Sequence, residues 1–288
     1  MKPAPFTYHR PETLDDALAL LAEHGADASP LAGGQSLVPM LNMRLAQPAH
    51  IVDLNGLTEL GGVVITDGWL EIGALIRHHQ LAHDPVIRAA QPLLAHAAGT
   101  IAHYAIRQRG TLGGSLVQAD PAGQLPLIAR LTDAEVVIRG PRGERRMPVR
   151  AFLVFAMEVA LEEGELVTAV SFPLLKPGTR WGFELFSRRR GDYALASVAT
   201  TLTLTNGKIG ELRLAIGAAA SLPQRLTGLE RSARGGVPDA AWIAETARAA
   251  AAAAEVEDSP QAPAAFRREL VEVLTHRALT AALTPEPA

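Results

Sequence analysis

Ser29-Pro30-Leu31-Ala32-Gly33-Gly34-Gln35-Ser36-Leu37 runs from a short apolar strand, through a glycine pair, into the start of a helical stretch. Glycine carries no Cβ and tolerates positive φ, so consecutive glycines let several backbone N–H groups converge on an anion. Ser36 adds a hydroxyl able to donate to a phosphate oxygen. A helix beginning at Leu37 would point its N-terminus at the same anion. The segment reads as a phosphate cradle at a strand-to-helix turn; the alternative is a loop that only reverses the chain.

Upstream, Phe6-Thr7-Tyr8 reads as a strand. A helix follows, capped by Thr13, with Asp15 and Asp16 in its first turn and Leu14, Leu18 and Leu21 on one face; His24-Gly25 ends it. Downstream, residues 37–45 are helical and His50-Ile51-Val52-Asp53-Leu54 is another buried strand, completing a βαβ-like unit. Residues 62–65 and 69–73 make a hairpin around Thr66-Asp67-Gly68, and helices are expected over 76–83 and 86–98. A second glycine pair, Thr111-Leu112-Gly113-Gly114-Ser115, comes after Arg107-Gln108-Arg109-Gly110 and reads as a second loop. Helix 125–131, strand 134–139 and strand 166–172 follow.

Proline and glycine punctuate residues 173–178, which suggests a boundary. Beyond it lie strands 181–186, 197–205 and 208–219, the last two turned by Asn206-Gly207, and then helices 239–257 and 264–282. The expected fold is α+β: two N-terminal α/β subdomains (about 1–56 and 57–176) and a C-terminal domain (177–288) with a three-stranded antiparallel sheet and helices.

The 288 residues, 48% hydrophobic, suffice for a sizeable core, yet no apolar run approaches the roughly 20 residues that span a bilayer. The opening Met1-Lys2-Pro3-Ala4-Pro5-Phe6 lacks an export signal, so a cytoplasmic location is expected. A net charge of −3 without a basic stripe argues against nucleic acid. Arg188-Arg189-Arg190 is either a solvated turn or a phosphate or partner contact. With no cysteine, the chain holds no disulfide, thiol nucleophile or cysteine-ligated iron–sulfur cluster. Electron handling would therefore need an organic cofactor here and metal centres on other polypeptides.

Neither glycine pair is a P-loop or a Rossmann fingerprint. His79 and His83 have the i, i+4 spacing of metal pairs, with His78 beside them, but no third ligand is evident. His96 and His103 read as structural and Tyr104 as packing. No Ser-His-Asp order and no acid/base pair stand out, which suits a protein whose cofactor performs the redox chemistry.

Three ordered motifs carry a resemblance. Residues 31–39, the run Arg109-Gly110-Thr111-Leu112-Gly113-Gly114-Ser115, and Arg189-Arg190-Gly191-Asp192-Tyr193-Ala194 closely resemble the flavoprotein (medium) subunit of molybdenum-containing hydroxylases, over essentially the whole chain. That resemblance implies the PCMH-type FAD-binding fold and an oxidoreductase subunit. It implies FAD held by Ala32, Gly33, Gly34, Gln35 and Ser36 together with Thr111, Gly113, Gly114 and Ser115 around the pyrophosphate. Ile101 and Ala102 would lie along the flavin, Leu166 near the adenine or ribityl end, and Tyr193 beside the isoalloxazine. Asp120 matches the family pattern. Gln124 stands where an acid is common, and Leu185 where some members carry lysine.

The implied partners are a large molybdopterin-binding subunit and a small subunit with two [2Fe–2S] clusters, in a dimer of heterotrimers. FAD would then relay electrons to an external acceptor. Two other readings stay open: a stand-alone flavin oxidoreductase with its own substrate pocket, and a cofactor-free scaffold in which the glycines are turns.

Overall fold

A computed structural model describes residues 2–284; residues 1 and 285–288, the outer ends of the two expected domains, lie outside the described residues. Strands β1 (Thr7–His9), β2 (Ala28–Leu31) and β3 (His50–Asp53) form a parallel sheet in the order β1-β3-β2. Helix Leu14–His24 covers it. Thr13 caps that helix, its hydroxyl accepting from the Asp16 N–H at 3.1 Å. The helix buries Leu14, Ala17, Leu18 and Leu21 against Val52 and Leu54, each large side chain contributing about 1.5–3 kcal/mol on burial.

Next come β4 (Val63–Thr66), β5 (Trp69–Gly73), β6 (Glu135–Gly140), β7 (Gly143–Pro148), a short pair β8 (Leu153–Phe155) and β9 (Glu158–Val159), and β10 (Leu166–Pro173). All but the short pair build an antiparallel sheet in the order β4-β5-β10-β6-β7. Helices Pro92–Thr100 and Gln124–Thr132 bury Leu93, Leu94, Leu127 and Ile128 in the core with Leu70, Ile72, Val170 and Phe172.

Strands β11 (Arg180–Phe186), β12 (Ala196–Thr205), β13 (Lys208–Gly217) and β14 (Gln224–Arg225) form the third sheet in chain order. The three expected strands are joined by one more, only two residues long. Helix Ala264–Leu283 lies on β11 and β12 beside helix Ala240–Ala253, whose Ile243 and Ala250 are buried with residues of that helix and of β12 and β13. Its buried positions Leu270, Val271, Leu274, Ala278, Leu279 and Ala282 recur at helical spacing. Among the described residues no helix is long and apolar enough to cross a membrane.

Several elements differ from the sequence reading. The helix expected over 86–98 is two helices, Pro85–Ala90 and Pro92–Thr100, because Pro92 lacks an N–H and forces Gln91 out of helical geometry (φ −143°, ψ 66°). The helix expected over 37–45 stops at Asn42, and Arg44 turns left-handed. Strand β7 was not anticipated: as an exposed edge strand rich in Glu and Arg it shows no apolar alternation. The second glycine pair is not a loop but opens helix Leu112–Gln118.

Candidate functional site

Between the parallel sheet, the antiparallel sheet and the connection leading into β12 lies a cleft of about 700 Å³, within the roughly 300–1,000 Å³ of ligand pockets. All fifteen residues singled out from the sequence line it. They come from six separate segments, brought together by the three sheets.

The first glycine segment leaves β2 at Leu31 and enters helix Leu37–Asn42. Among the described residues, the N–H groups of Gly33, Gly34, Gln35 and Ser36 donate to no backbone or side-chain acceptor, and the Ser36 hydroxyl is also unbonded. Four amides and a hydroxyl are thus available on one short, half-buried turn, open to water or to a ligand's acceptors. The turn is braced from within and from outside. Gln35 Nε2 donates to the Gly33 carbonyl at 2.9 Å and Asn55 Nδ2 donates to the Ala32 carbonyl at 2.9 Å. Arg77 donates to Asn55 Oδ1 and to the Arg109 carbonyl, 2.6 Å away, tying the first segment to the approach of the second.

The second segment contributes differently. The Leu112 N–H donates to Ile76 O (3.0 Å), Gly113 N–H to Ala74 O (2.9 Å), Gly114 N–H to Thr111 Oγ1 (3.1 Å) and Ser115 N–H to Thr111 O (3.1 Å). Its amides are spent on the fold, so the amides without a protein partner belong to the first segment alone. What the second offers the cleft is smooth glycine backbone and the hydroxyls of Thr111 and Ser115.

His78, read from the sequence only as a neighbour of a weak metal pair, stands behind that hydroxyl. It is 5% exposed, and burial lowers its pKa from 6.5 to about 4 against the opposing pull of the Thr111 carbonyl. The ring is therefore neutral near pH 7. Its Nε2 lies 3.0 Å from Thr111 O, which only accepts, so the network assigns the proton to Nε2. Ser115 Oγ, 2.8 Å from the same nitrogen, accepts a share of it, leaving the serine O–H free to donate into the cleft. Nδ1 is buried with no partner.

Ile101 and Ala102 form a tight turn along the wall, with Ala102 at φ +42°, a conformation that costs a non-glycine residue energy. Arg107 holds it there, donating to Ile101 O at 2.7 Å and to Ala102 O at 3.1 Å. Asp120 is half-buried; its Oδ1 accepts from the Ala122 N–H at 2.9 Å, and burial raises its pKa. Gln124 begins helix Gln124–Thr132 and Leu166 begins β10. Tyr193 stands at the mouth, 69% exposed. Its segment is seated by Gly191 (φ +91°), where a Cβ would come 2.5 Å from the His103 ring, so glycine alone fits. Leu185 faces away from the cleft and packs on the core.

Free amides and hydroxyls at one end suit a pyrophosphate, which offers only acceptors. The apolar walls at Ile101, Ala102 and Leu166 suit a planar ring system. These donors and walls fit FAD.

Comparison with known proteins gives a consistent result. The family described as the FAD binding domain in molybdopterin dehydrogenase matches residues 4–175, and the CO dehydrogenase flavoprotein C-terminal domain matches residues 181–282. The 6-hydroxypseudooxynicotine dehydrogenase complex subunit alpha of Paenarthrobacter nicotinovorans is 37% identical, covering 98% of this chain and 96% of that protein. The carbon monoxide dehydrogenase medium chain of Hydrogenophaga pseudoflava is 33% identical over 98% of both. A chain of the solved quinoline 2-oxidoreductase from Pseudomonas putida 86 superposes with a TM-score of 0.94 at 32% identity, over 98% of each chain.

Proposed function

Since the chain belongs to the family of FAD-binding medium subunits of molybdenum hydroxylase-type dehydrogenases, we propose that it is the electron-transfer subunit of a cytoplasmic heteromeric complex. A large molybdopterin-binding subunit and a small [2Fe–2S] subunit complete that complex, in a dimer of heterotrimers. The relatives' own names, "complex subunit alpha" and "medium chain", support a multi-subunit setting. FAD held in the cleft would supply the redox chemistry of a relay between the partner's iron–sulfur centres and an external acceptor.

The chain's residues bind and orient. The amides of Gly33, Gly34, Gln35 and Ser36 and the Ser36 hydroxyl hold the pyrophosphate; the Thr111 and Ser115 hydroxyls close on it from the far side. Ala32 and the backbone of Gly113 and Gly114 shape the channel between them. Ile101, Ala102 and Leu166 exclude water from the ring system. Asp120 and Gln124 offer polar atoms to the cofactor's hydroxyls, and Tyr193 covers the mouth through which a partner approaches. The binding region spans residues 1–176 and the C-terminal domain 177–288, a division supported by the two separate family matches.

The free amides of the first glycine segment, facing hydroxyl donors across one cleft, carry this reading. Its test is the visible spectrum of the purified full chain. Bound flavin, or FAD taken up on addition, is expected; a colourless chain that ignores added FAD overturns it. Bleaching of the flavin by substrate only in the presence of the partner subunits is the relay's signature, whereas bleaching of the isolated chain would mean a stand-alone oxidoreductase.

A further inference from the structure

On the helix-covered face of the parallel sheet, spanning edge strand β1, central strand β3 and the end of the helix, His9, His24 and His50 come together, the one group of three metal-ligating side chains that close among the described residues. His9 ends β1, His50 begins β3, and His24 is the last residue of helix Leu14–His24. The register explains the meeting. Thr7 pairs with His50 and His9 with Val52 in a parallel ladder, so His9 and His50 share the face that carries the buried Val52 and the helix. The helix runs back along that face and delivers His24 beside the start of β3.

We propose that these three imidazoles form a binding site for a divalent transition-metal ion, with Zn²⁺ as the representative. One nitrogen from each ring falls within a 4.8 Å span, and all three residues are half-buried. His9 Nε2 and His50 Nδ1 are 2.9 Å apart, close to the roughly 3.4 Å between two nitrogens that share a tetrahedral zinc at about 2.1 Å each. In the metal-free chain one proton bridges that pair. Metal binding moves it to the outward nitrogen of the same ring, so that both inward nitrogens present lone pairs without loss of a proton.

The His24 and His50 rings are stacked, centroids 3.7 Å apart and 10° from parallel, so the His24 ring must rotate to aim its lone pair. That torsion is soft, being a broad two-fold rotor. A ligand set of imidazoles alone selects zinc, copper or nickel over magnesium and calcium, which want oxygen. With three protein ligands the fourth position is open to water. The site would clamp the two strand ends to the helix end, and it is independent of the flavin assignment.

The test uses the tag-free, FAD-loaded full chain dialysed against Zn²⁺ alone. One zinc per chain is expected, undisturbed by excess Mg²⁺, retained in the His79→Asn/His83→Asn double variant and lost in His24→Asn and in His50→Asn. Crystals of the unaltered chain soaked in Zn²⁺ should show an anomalous peak among the three rings, a readout that needs no variant to fold. Zinc uptake no greater than that of the His9/His24/His50 triple asparagine variant, loss of uptake in the His79/His83 variant, or an anomalous peak elsewhere overturns the proposal.

Discussion

The carbonyl oxygen of Arg109 occupies the place where a side chain on residue 33 would begin: a Cβ on Gly33 would lie 2.4 Å from it. The two glycine segments therefore meet backbone to backbone, and Gly33 is required by that contact as well as by any ligand. Gly33→Ala must push the segments apart, moving the free amides relative to the Thr111 and Ser115 hydroxyls. We expect FAD affinity to fall at least tenfold, about 1.4 kcal/mol, with the far-UV spectrum kept. At Gly114 the nearest obstacle is the Thr111 hydroxyl, 2.8 Å from an added Cβ; Gly114→Ala should weaken binding less. Equal losses at both positions, read by flavin fluorescence titration, would contradict the proposed asymmetry.

His78 makes stability depend on pH. The unfolded imidazole takes up its proton near pH 6.5 and the folded one only near pH 4, because the folded site is buried. Between those values the unfolded state binds more protons, so this contribution is full above pH 6.5 and is lost as pH falls toward 4. The shift corresponds to about 3 kcal/mol. His78→Gln keeps a donor for the Thr111 carbonyl but does not titrate. Urea midpoints measured from pH 7 to pH 4 should fall less steeply in that variant; parallel curves would refute the assignment.

Arg77 spans the two walls, one nitrogen on Asn55 and the other on the Arg109 carbonyl. A lysine carries its charge on a single nitrogen and cannot reproduce the planar fork. Arg77→Lys should therefore loosen the cleft although the charge is kept, weakening FAD by about 1 kcal/mol, roughly fivefold. Isothermal titration of the FAD-free chain decides this, and an unchanged constant would make Arg77 a surface residue only.

Local signals were legible in the sequence where one element announced itself. Thr13 with Asp15 and Asp16 marked a helix start, and the turn at Asn206-Gly207 marked the hairpin of β12 and β13. The first glycine segment was readable as a strand-to-helix turn because the elements on either side of it are local. The second was misread as a loop: the glycine pair hid the helix start that Thr111 caps through the Gly114 N–H, and the Leu112 and Gly113 amides are taken by Ile76 and Ala74, nearly 40 positions earlier in the chain, which no local pattern displays. His78 and Arg77 escaped for the same reason: their roles are set by partners at Thr111, Ser115, Asn55 and Arg109. His9, His24 and His50 are joined only by strand register and helix length.

Asp120 offers the sharpest separation of bracing from binding. Its Oδ1 is held by the Ala122 N–H at 2.9 Å, while among the described residues nothing donates to Oδ2. Burial raises the carboxyl's pKa, so it protonates at higher pH than an ordinary aspartate. Asn keeps the Oδ1 brace but replaces the free acceptor with an N–H donor. If Oδ2 accepts from a hydroxyl of the cofactor, Asp120→Asn loses about 1.5–3 kcal/mol of FAD binding, the usual range for a bond to a charged group, with an unchanged melting temperature. Asp120→Ala loses the same affinity and some stability too. In the unaltered chain, affinity should decline on acidification before that of a solvent-exposed carboxylate contact would, and Asp120→Asn should abolish that decline. Full affinity in Asp120→Asn would reduce Asp120 to a brace for the turn at residues 120–123.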